Sequence, residues 1–136
     1  MDIDIEVVCG KYKMRKENGK KKYDLEDRTL EFAKNVRGFV RIINNDLVNN
    51  EDIKQLVRSS GSVGANYIEA NESLGKKDFL MRIRISRKEA KESRFWLRLL
   101  NTNSETEERT RADLEQEATE LTHIFGAILT KSLGNS

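Results

Sequence analysis

Residues 84–100 read Arg-Ile-Ser-Arg-Lys-Glu-Ala-Lys-Glu-Ser-Arg-Phe-Trp-Leu-Arg-Leu-Leu. Apolar or small side chains recur here every three or four positions, the period of one helix face. Extended upstream, this core stripe comprises Phe79, Ile83, Ser86, Ala90, Ser93, Leu97 and Leu100. A second set with the same period, the basic line, comprises Arg84, Arg87, Lys91, Arg94 and Arg98. The stretch therefore predicts a bundle helix with a row of positive charge beside its buried face.

Length and composition favour one cytoplasmic helical domain. The chain has 136 residues, no proline, 35% charged residues and 7% aromatic residues, which suits a helical protein better than a sheet protein. A single cysteine, Cys9, excludes an internal disulfide and suits a reducing compartment. Residues 1–4 carry acids where a secretory signal has basic residues, and the apolar run 124–129 is too short to span a membrane.

Residues 1–22 differ from the rest of the chain. Residues 2–7 alternate polar and apolar with period two, and residues 11–22 hold seven Lys or Arg against one Glu. An isolated strand is marginally stable, and the basic run has no apolar face. We therefore predict a flexible basic arm at 1–22 and a bundle domain at 23–136. The alternative for the alternating segment is an edge strand added in an oligomer.

Two helices are predicted before the quoted stretch. The first begins after Asp24 or Asp27, ends near Asn44, and has this apolar face: Leu25, Thr29, Phe32, Val36, Phe39, Ile43 and Leu47. Asparagine and aspartate at 44–52 predict a turn, so that the second helix begins near Glu51. Its face comprises Ile53, Leu56, Ser60, Val63, Tyr67, Ala70 and Leu74, and Gly75 is its expected stop. Small residues at 59–65 include glycine, which is costly in a helix unless another backbone comes close.

The remaining helices complete the fold prediction. The third helix is expected from about Lys77 to Leu100, and Ser104 with Glu107 fits a capping box that begins the fourth. The face of the fourth comprises Leu114, Ala118, Leu121, Phe125, Ile128 and Ser132. Four amphipathic helices with short connections predict an all-α, antiparallel up-down-up-down four-helix bundle.

The charge distribution leaves the role of the basic line open. Residues 76–98 hold nine Lys or Arg against three acids, and 105–120 hold seven acids against two Arg. The cations are therefore expected to meet a polyanion, to pair with acids of helix four or of a neighbouring subunit, or to be solvated. The planar guanidinium group of arginine donates two hydrogen bonds to phosphate oxygens, which favours nucleic acid as the ligand of the basic line. The candidate nucleic-acid-binding residues are Arg84, Arg87, Lys88, Lys91, Arg94 and Arg98.

The other flank of the third helix predicts self-association. It carries Ile85, Glu89, Glu92, Trp96 and Leu99. A helix with one basic flank and one acidic, apolar flank suits a head-to-tail contact between identical subunits. Phe95, Trp96 and Leu99 are the candidate interface residues. The alternatives are that Trp96 only seals its own bundle and that Phe95 stacks on a base.

No catalytic or metal site is predicted. Ser59, Ser62, Asn66 and Glu69 form a polar line on helix two, which is either a buried hydrogen-bond network or a hydrated face. Glu120 and His123 have the Glu-x-x-His spacing of di-iron bundles, but such sites need two of these motifs and two further glutamates, and the chain has one histidine. We therefore expect no metal, no cofactor and no enzymatic activity, with His123 at a surface or interface.

Several segments resemble a known family. They are Tyr23-Asp24-Leu25-Glu26-Asp27-Arg28-Thr29, Ala65-Asn66-Tyr67-Ile68-Glu69-Ala70, Lys77-Asp78-Phe79-Leu80, Arg87-Lys88-Glu89-Ala90-Lys91-Glu92 and Arg94-Phe95-Trp96-Leu97-Arg98-Leu99-Leu100. Residues 23 to about 133 are similar to the four-helix bundle proteins encoded in intervening sequences of bacterial 23S ribosomal RNA genes. Many relatives carry glycine where this chain has Ala70, which affects a helix end and not a chemical group.

The resemblance implies a small homo-oligomeric bundle, typically a pentameric ring, without established enzymatic activity. The segment 94–100 also resembles one in the accessory variability proteins of diversity-generating retroelements, basic barrels that bind nucleic acid and a reverse transcriptase. We therefore expect a non-enzymatic, self-associating bundle whose basic surface binds RNA or DNA without strong sequence preference, with a reverse transcriptase as a further partner implied by the resemblance. The alternative is a scaffold protein whose cations serve subunit contacts.

Overall fold

The computed structural model describes residues 24–134 and, as backbone, residues 5–8 and 11–14. Four helices make up the bundle: α1 (Leu25–Ile42), α2 (Leu47–Asn71), α3 (Lys76–Leu99) and α4 (Glu105–Gly134). Each helix packs against the next along the chain, and α4 also packs against α1. The predicted all-α four-helix bundle is therefore confirmed for the domain.

Two short strands precede the bundle. β1 (Ile5–Val8) pairs in antiparallel fashion with β2 (Lys11–Met14), so that Ile5 lies opposite Met14 and Val8 opposite Lys11. Residues 5–7 of the alternating segment, the part that the structure describes, thus lie in a strand that pairs within its own chain. The flexibility of the arm and its boundary at residue 22 stay predictions, because residues 1–4, 9–10 and 15–23 lie outside the described residues, and so does the prediction for Cys9.

Aspartate caps fix the first two helix starts. The Asp24 carboxylate accepts a hydrogen bond from the Asp27 backbone N–H at 2.8 Å, as expected for an N-cap. Asp46 does the same for the backbone N–H of Asn49 at 2.8 Å. Helix α2 therefore begins at Leu47, four residues before the predicted start near Glu51, because the capping side chain lies earlier in the Asn- and Asp-rich turn.

The two other boundary predictions have different outcomes. Gly75 is not the stop of α2, which ends at Asn71; it is instead the extended N-cap residue of α3. At the start of α4, the Glu107 backbone N–H donates to Ser104 Oγ at 3.1 Å, as the capping box predicts. The Glu107 carboxylate accepts from the Asn103 N–H at 3.0 Å, one residue before the expected donor.

The predicted apolar faces form the core. Its largest fully buried side chains include Tyr67, Phe32 and Phe125, and the Tyr67 and Phe125 rings meet edge to face with centroids 5.7 Å apart. Leu47 and Leu74 were predicted to be buried, and this was wrong, because their side chains are 81% and 104% exposed. Leu47 begins the first turn of α2 and Leu74 lies beyond its end, so neither faces a neighbouring helix.

Close approach between α1 and α2 explains one of the helix-two glycines. A Cβ atom added at Gly64 would lie 2.9 Å from Thr29 Oγ1 and 3.2 Å from Thr29 Cβ. Thr29 is buried, and its hydroxyl donates to the Glu26 carbonyl at 2.9 Å, so it has no free direction in which to move. The expectation that another backbone passes close to the small residues of helix two is confirmed at this position.

Two matched glycine substitutions are expected to change stability in opposite directions. Gly64→Ala destabilises the bundle by about 1–3 kcal/mol, because the new methyl group overlaps Thr29. Gly126→Ala in α4 stabilises it by up to about 1 kcal/mol, because the nearest atom, Arg87 Cδ, would lie at an ordinary 3.9 Å and alanine is the better helix former. Urea unfolding of both variants measures the difference, and equal shifts in midpoint would show that α1 and α2 are not in close contact.

The polar line of α2 is partly a buried network. The Ser59 and Ser93 hydroxyl oxygens lie 2.9 Å apart across the α2–α3 contact, and both residues are fully buried. Asn66 accepts from the Arg82 guanidinium of α3 at 3.1 Å. Ser62 is half-buried and Glu69 is exposed. The line is therefore a buried hydrogen-bond network at Ser59 and an exposed face at Glu69.

A buried asparagine joins two interhelical connections. Asn49 has no exposed surface, and its Nδ2 donates to the backbone carbonyls of Asn44 and Asn101, each at 3.1 Å. Its Oδ1 accepts from the Asn101 backbone N–H, also at 3.1 Å. One side chain therefore fixes the α1–α2 connection against the residues that follow α3.

Candidate nucleic-acid groove

A groove of about 790 Å³ lies between α3 and α4 and contains most of the basic line. We call it the basic groove. One wall is formed by α3, with Arg87, Lys91, Arg94, Phe95 and Arg98. The other is formed by α4, with Thr119, Thr122, His123, Gly126 and Thr130.

All six predicted nucleic-acid-binding residues are exposed, and four of them line the basic groove. Arg84 and Lys88 lie on α3 outside this lining. Arg87 extends over Gly126 of α4, because its Cδ lies 3.9 Å from the point where a Cβ would be at that glycine. The Arg87 side chain thus passes over this part of α4 at ordinary van der Waals distance.

Few carboxylates neutralise these cations. Within residues 24–134, no carboxylate forms an ion pair with Arg84, Arg87, Lys88 or Lys91. The exceptions are at the Arg98 end of the groove, where Glu115 lies 4.0 Å from Arg94 Nε and 3.9 Å from Arg98 Nε. These distances are long for a charge-assisted hydrogen bond. The groove therefore keeps most of its positive charge.

Most acids of α4 that were expected to pair with the basic line are held by Arg28 or Arg111 instead. Arg28 of α1 holds Glu117 through two hydrogen bonds of 2.6 and 2.7 Å and Glu120 through one of 3.0 Å. Arg111 holds Glu108 at 2.7 Å and Glu115 at 2.8 Å within α4. Hydrogen bonding to Glu108 is the main cause that raises the pKa of Arg111. Within the described residues, Glu115 is thus the one acid of residues 105–120 that forms ion pairs with the cations of residues 76–98.

The opposite flank of α3 is not a free acidic surface. Glu89 is buried, and its carboxylate accepts from Arg58 of α2 at 2.8 Å, while Glu92 lies 3.8 Å from the same guanidinium. The Glu89 carboxylate raises the pKa of Glu92. Burial raises the pKa of Glu89, but hydrogen bonds from Glu92 and Arg58 outweigh it and the net pKa is lowered. The acidic side expected to attract a neighbouring subunit is therefore used largely within the chain.

The predicted interface residues form a partly exposed apolar group. Phe95 is 55% exposed and Leu99 is 45% exposed, while Trp96 is half-buried against the core. The Phe95 and Trp96 rings meet edge to face with centroids 5.0 Å apart. Trp96 Nε1 is buried without a hydrogen-bond partner among the described residues. Phe95 also lines the basic groove. The same exposed ring is therefore the candidate both for a subunit contact and for stacking on a base.

The α4 wall of the groove was not predicted from the sequence. Thr119, Thr122, Gly126 and Thr130 follow the three-to-four-residue spacing of one helix face beside the buried face of α4. This spacing indicates in the sequence that the four residues share a helix face, but it does not indicate that α3 lies opposite that face. His123, expected at a surface or interface, is exposed in this wall. No group of three or more possible metal ligands occurs within the described part of the chain.

No helix in the described ranges is both long enough and apolar enough to cross a membrane. The fold and the groove define a four-helix bundle protein with a basic groove between its last two helices. The family model of the 23S rRNA-intervening sequence protein matches residues 21–127, and the chain belongs to this family.

One solved structure is similar over most of the chain. It is the crystal structure of a protein with unknown function from the S23 ribosomal protein family of Bacteroides thetaiotaomicron. The two chains are 29% identical with a TM-score of 0.64, and the match covers 76% of this chain and 96% of that chain. No curated protein matches the chain.

Proposed function

We propose that this protein is a non-enzymatic nucleic-acid-binding bundle that holds RNA or DNA in the basic groove. The observation that carries the proposal is the position of Arg87, Lys91, Arg94 and Arg98 along one groove while most acids of α4 are engaged by Arg28 and Arg111. A row of exposed cations held by rigid helices neutralises phosphates and releases their condensed counterions. Arginine adds bidentate hydrogen bonds to phosphate oxygens.

Two further features support this function. Phe95 lies exposed at the groove, where its ring can stack on a base whatever the sequence. The name of the family refers to intervening sequences of 23S rRNA, which makes an RNA element a reasonable ligand for this chain. A reverse transcriptase is the further partner we propose from the resemblance of residues 94–100 to the retroelement accessory proteins.

We also propose that the protein works as a homo-oligomer of up-down-up-down bundles in the cytoplasm, with a pentameric ring as the favoured form. The exposed side chains of Phe95 and Leu99, beside Trp96, support a subunit contact there. The same observation favours the second candidate function, a scaffold whose cations serve subunit contacts. In that case substitution of the basic line dissociates the oligomer.

The salt dependence of binding tests the proposed function. If four phosphates of a single strand are neutralised, the slope of log affinity against log salt is roughly −3, and affinity falls about fiftyfold between about 50 and 200 mM salt. Fluorescence anisotropy with a labelled oligonucleotide measures this slope. Absence of binding at low salt would rule out the proposal and leave the scaffold function.

A further inference from the structure

The threonine hydroxyl groups of the α4 wall donate hydrogen bonds to backbone carbonyls of their own helix. Thr119 donates to the Glu115 carbonyl at 3.0 Å and Thr122 to the Ala118 carbonyl at 2.7 Å. Thr130 donates to the Gly126 carbonyl at 3.0 Å. A hydroxyl group has one proton but two lone pairs. While these bonds are kept, a groove ligand that reaches the hydroxyl oxygens therefore meets hydrogen-bond acceptors.

The two walls of the basic groove consequently differ in chemistry. The guanidinium and ammonium groups of α3 only donate hydrogen bonds, whereas the hydroxyl oxygens of α4 accept them. A ligand that satisfies both walls needs anionic oxygens on one side and its own O–H donors on the other. The ribose-phosphate backbone has this combination, because each phosphate is followed by a 2′-hydroxyl group. The deoxyribose backbone lacks that donor.

The dimensions of the groove exclude a duplex from its interior. The axes of two packed helices are typically about 8–10 Å apart. The volume of the groove, about 790 Å³, is that of a site for a small molecule. A double helix would contact only the rim. A single strand can place its phosphates along α3 and its sugars toward α4, with a base against the Phe95 ring.

We infer that the basic groove binds single-stranded RNA in preference to DNA, with ribose 2′-hydroxyls donating hydrogen bonds to Thr122 and Thr130. This inference rests on the proposed function, since it assigns the ligand class of the same groove. Arg87 and Lys91 position the phosphates, and the threonine oxygens distinguish the sugar.

Three labelled homopolymers of equal length test this inference on the full chain: oligouridine, its 2′-deoxy form and its 2′-O-methyl form. Because they differ only at the 2′ position, base and phosphate contacts cancel. We expect oligouridine to bind roughly threefold to tenfold more tightly than the deoxy form, as one or two net hydrogen bonds provide. The 2′-O-methyl form keeps an acceptor but loses the donor, so it is expected to bind as weakly as the deoxy form.

Variants then locate the contact. Thr122→Val with Thr130→Val removes the acceptors at nearly constant volume and is expected to bring the ratio of RNA to DNA affinity near one, without change in DNA affinity. Thr110→Val is the matched control, because Thr110 also donates within α4, to the Thr106 carbonyl at 3.1 Å, but lines a different groove. It should keep the ratio of the parent protein.

The outcomes separate the inference from the function on which it rests. Equal affinity for the three homopolymers would overturn the RNA preference while nucleic-acid binding stands. A preference that survives in the Thr122 and Thr130 double variant would also overturn it, since the 2′-hydroxyls would then be recognised elsewhere. If none of the three binds, the proposed function itself is wrong.

Discussion

Replacing Arg87, Lys91 and Arg94 together with alanine is expected to weaken RNA binding on the order of a hundredfold near 50 mM salt. Each cation that leaves the groove removes about 0.7 from the magnitude of the salt slope for a single strand, so the slope should fall by roughly 2. Fluorescence anisotropy over a salt series measures both quantities. The fold should be unaffected, because the one ion pair that these side chains form within the described residues is the long contact of Arg94 Nε with Glu115, at 4.0 Å.

A matched triple variant separates this effect from loss of net charge. Lys34, Arg41 and Lys54 are also exposed cations, they lie on α1 and α2, and they do not line the basic groove. Their replacement by alanine removes the same charge and should change the affinity only slightly. Equal losses in the two triple variants would mean that binding follows net charge and not the groove. Dissociation of an oligomer by the groove variant alone would favour the scaffold function.

Asn49→Ala is expected to lower the free energy of unfolding by about 3 kcal/mol, the largest stability loss that we predict for a polar side chain. The substitution removes three hydrogen bonds of 3.1 Å and leaves two backbone carbonyls and one N–H of the connecting segments unpaired. Buried polar groups without partners cost about 1–3 kcal/mol each, partly recovered by water. Thermal unfolding should shift downward by about 10 °C for a domain of this size.

Asn45→Ala is the control for this effect. Asn45 lies in the same connection but is exposed, so its removal should leave the unfolding temperature within about 1–2 °C of the parent protein. Indistinguishable curves for the two variants would show that the Asn49 side chain does not join the connections in solution.

Local periodicity was sufficient to predict the helices, and tertiary contacts decide where it failed. Phe32, Tyr67 and Phe125 follow the helical repeat and are buried as predicted. Asn49 was assigned to a turn, because an asparagine beside other asparagines gives no sign that it will be enclosed. Its burial depends on Asn101, which is 52 positions away in the sequence, and no local pattern contains that information.

The same distinction applies to the groove. The α3 wall could be predicted, because cations at helical spacing beside an apolar face are visible in the sequence. The α4 wall could not, because Thr122 and Thr130 resemble ordinary surface threonines until their hydrogen bonds and the helix opposite are known. The pairing of Glu117 and Glu120 with Arg28 was equally hidden, since Arg28 is 89 positions from Glu117 and 92 from Glu120. Only the packed bundle shows that Glu117 and Glu120 pair with Arg28 of α1 and not with the basic line.

Photocrosslinking locates the bound strand on the protein. The chain has a second basic segment at residues 11–22, so binding alone does not identify the site. An oligonucleotide that contains 4-thiouridine is irradiated with the full chain, and the crosslinked residues are identified by mass spectrometry. We expect crosslinks at Phe95 and His123, on the two walls of the basic groove. Crosslinks confined to residues 1–22, with none in α3 or α4, would show that the arm and not the groove holds the nucleic acid.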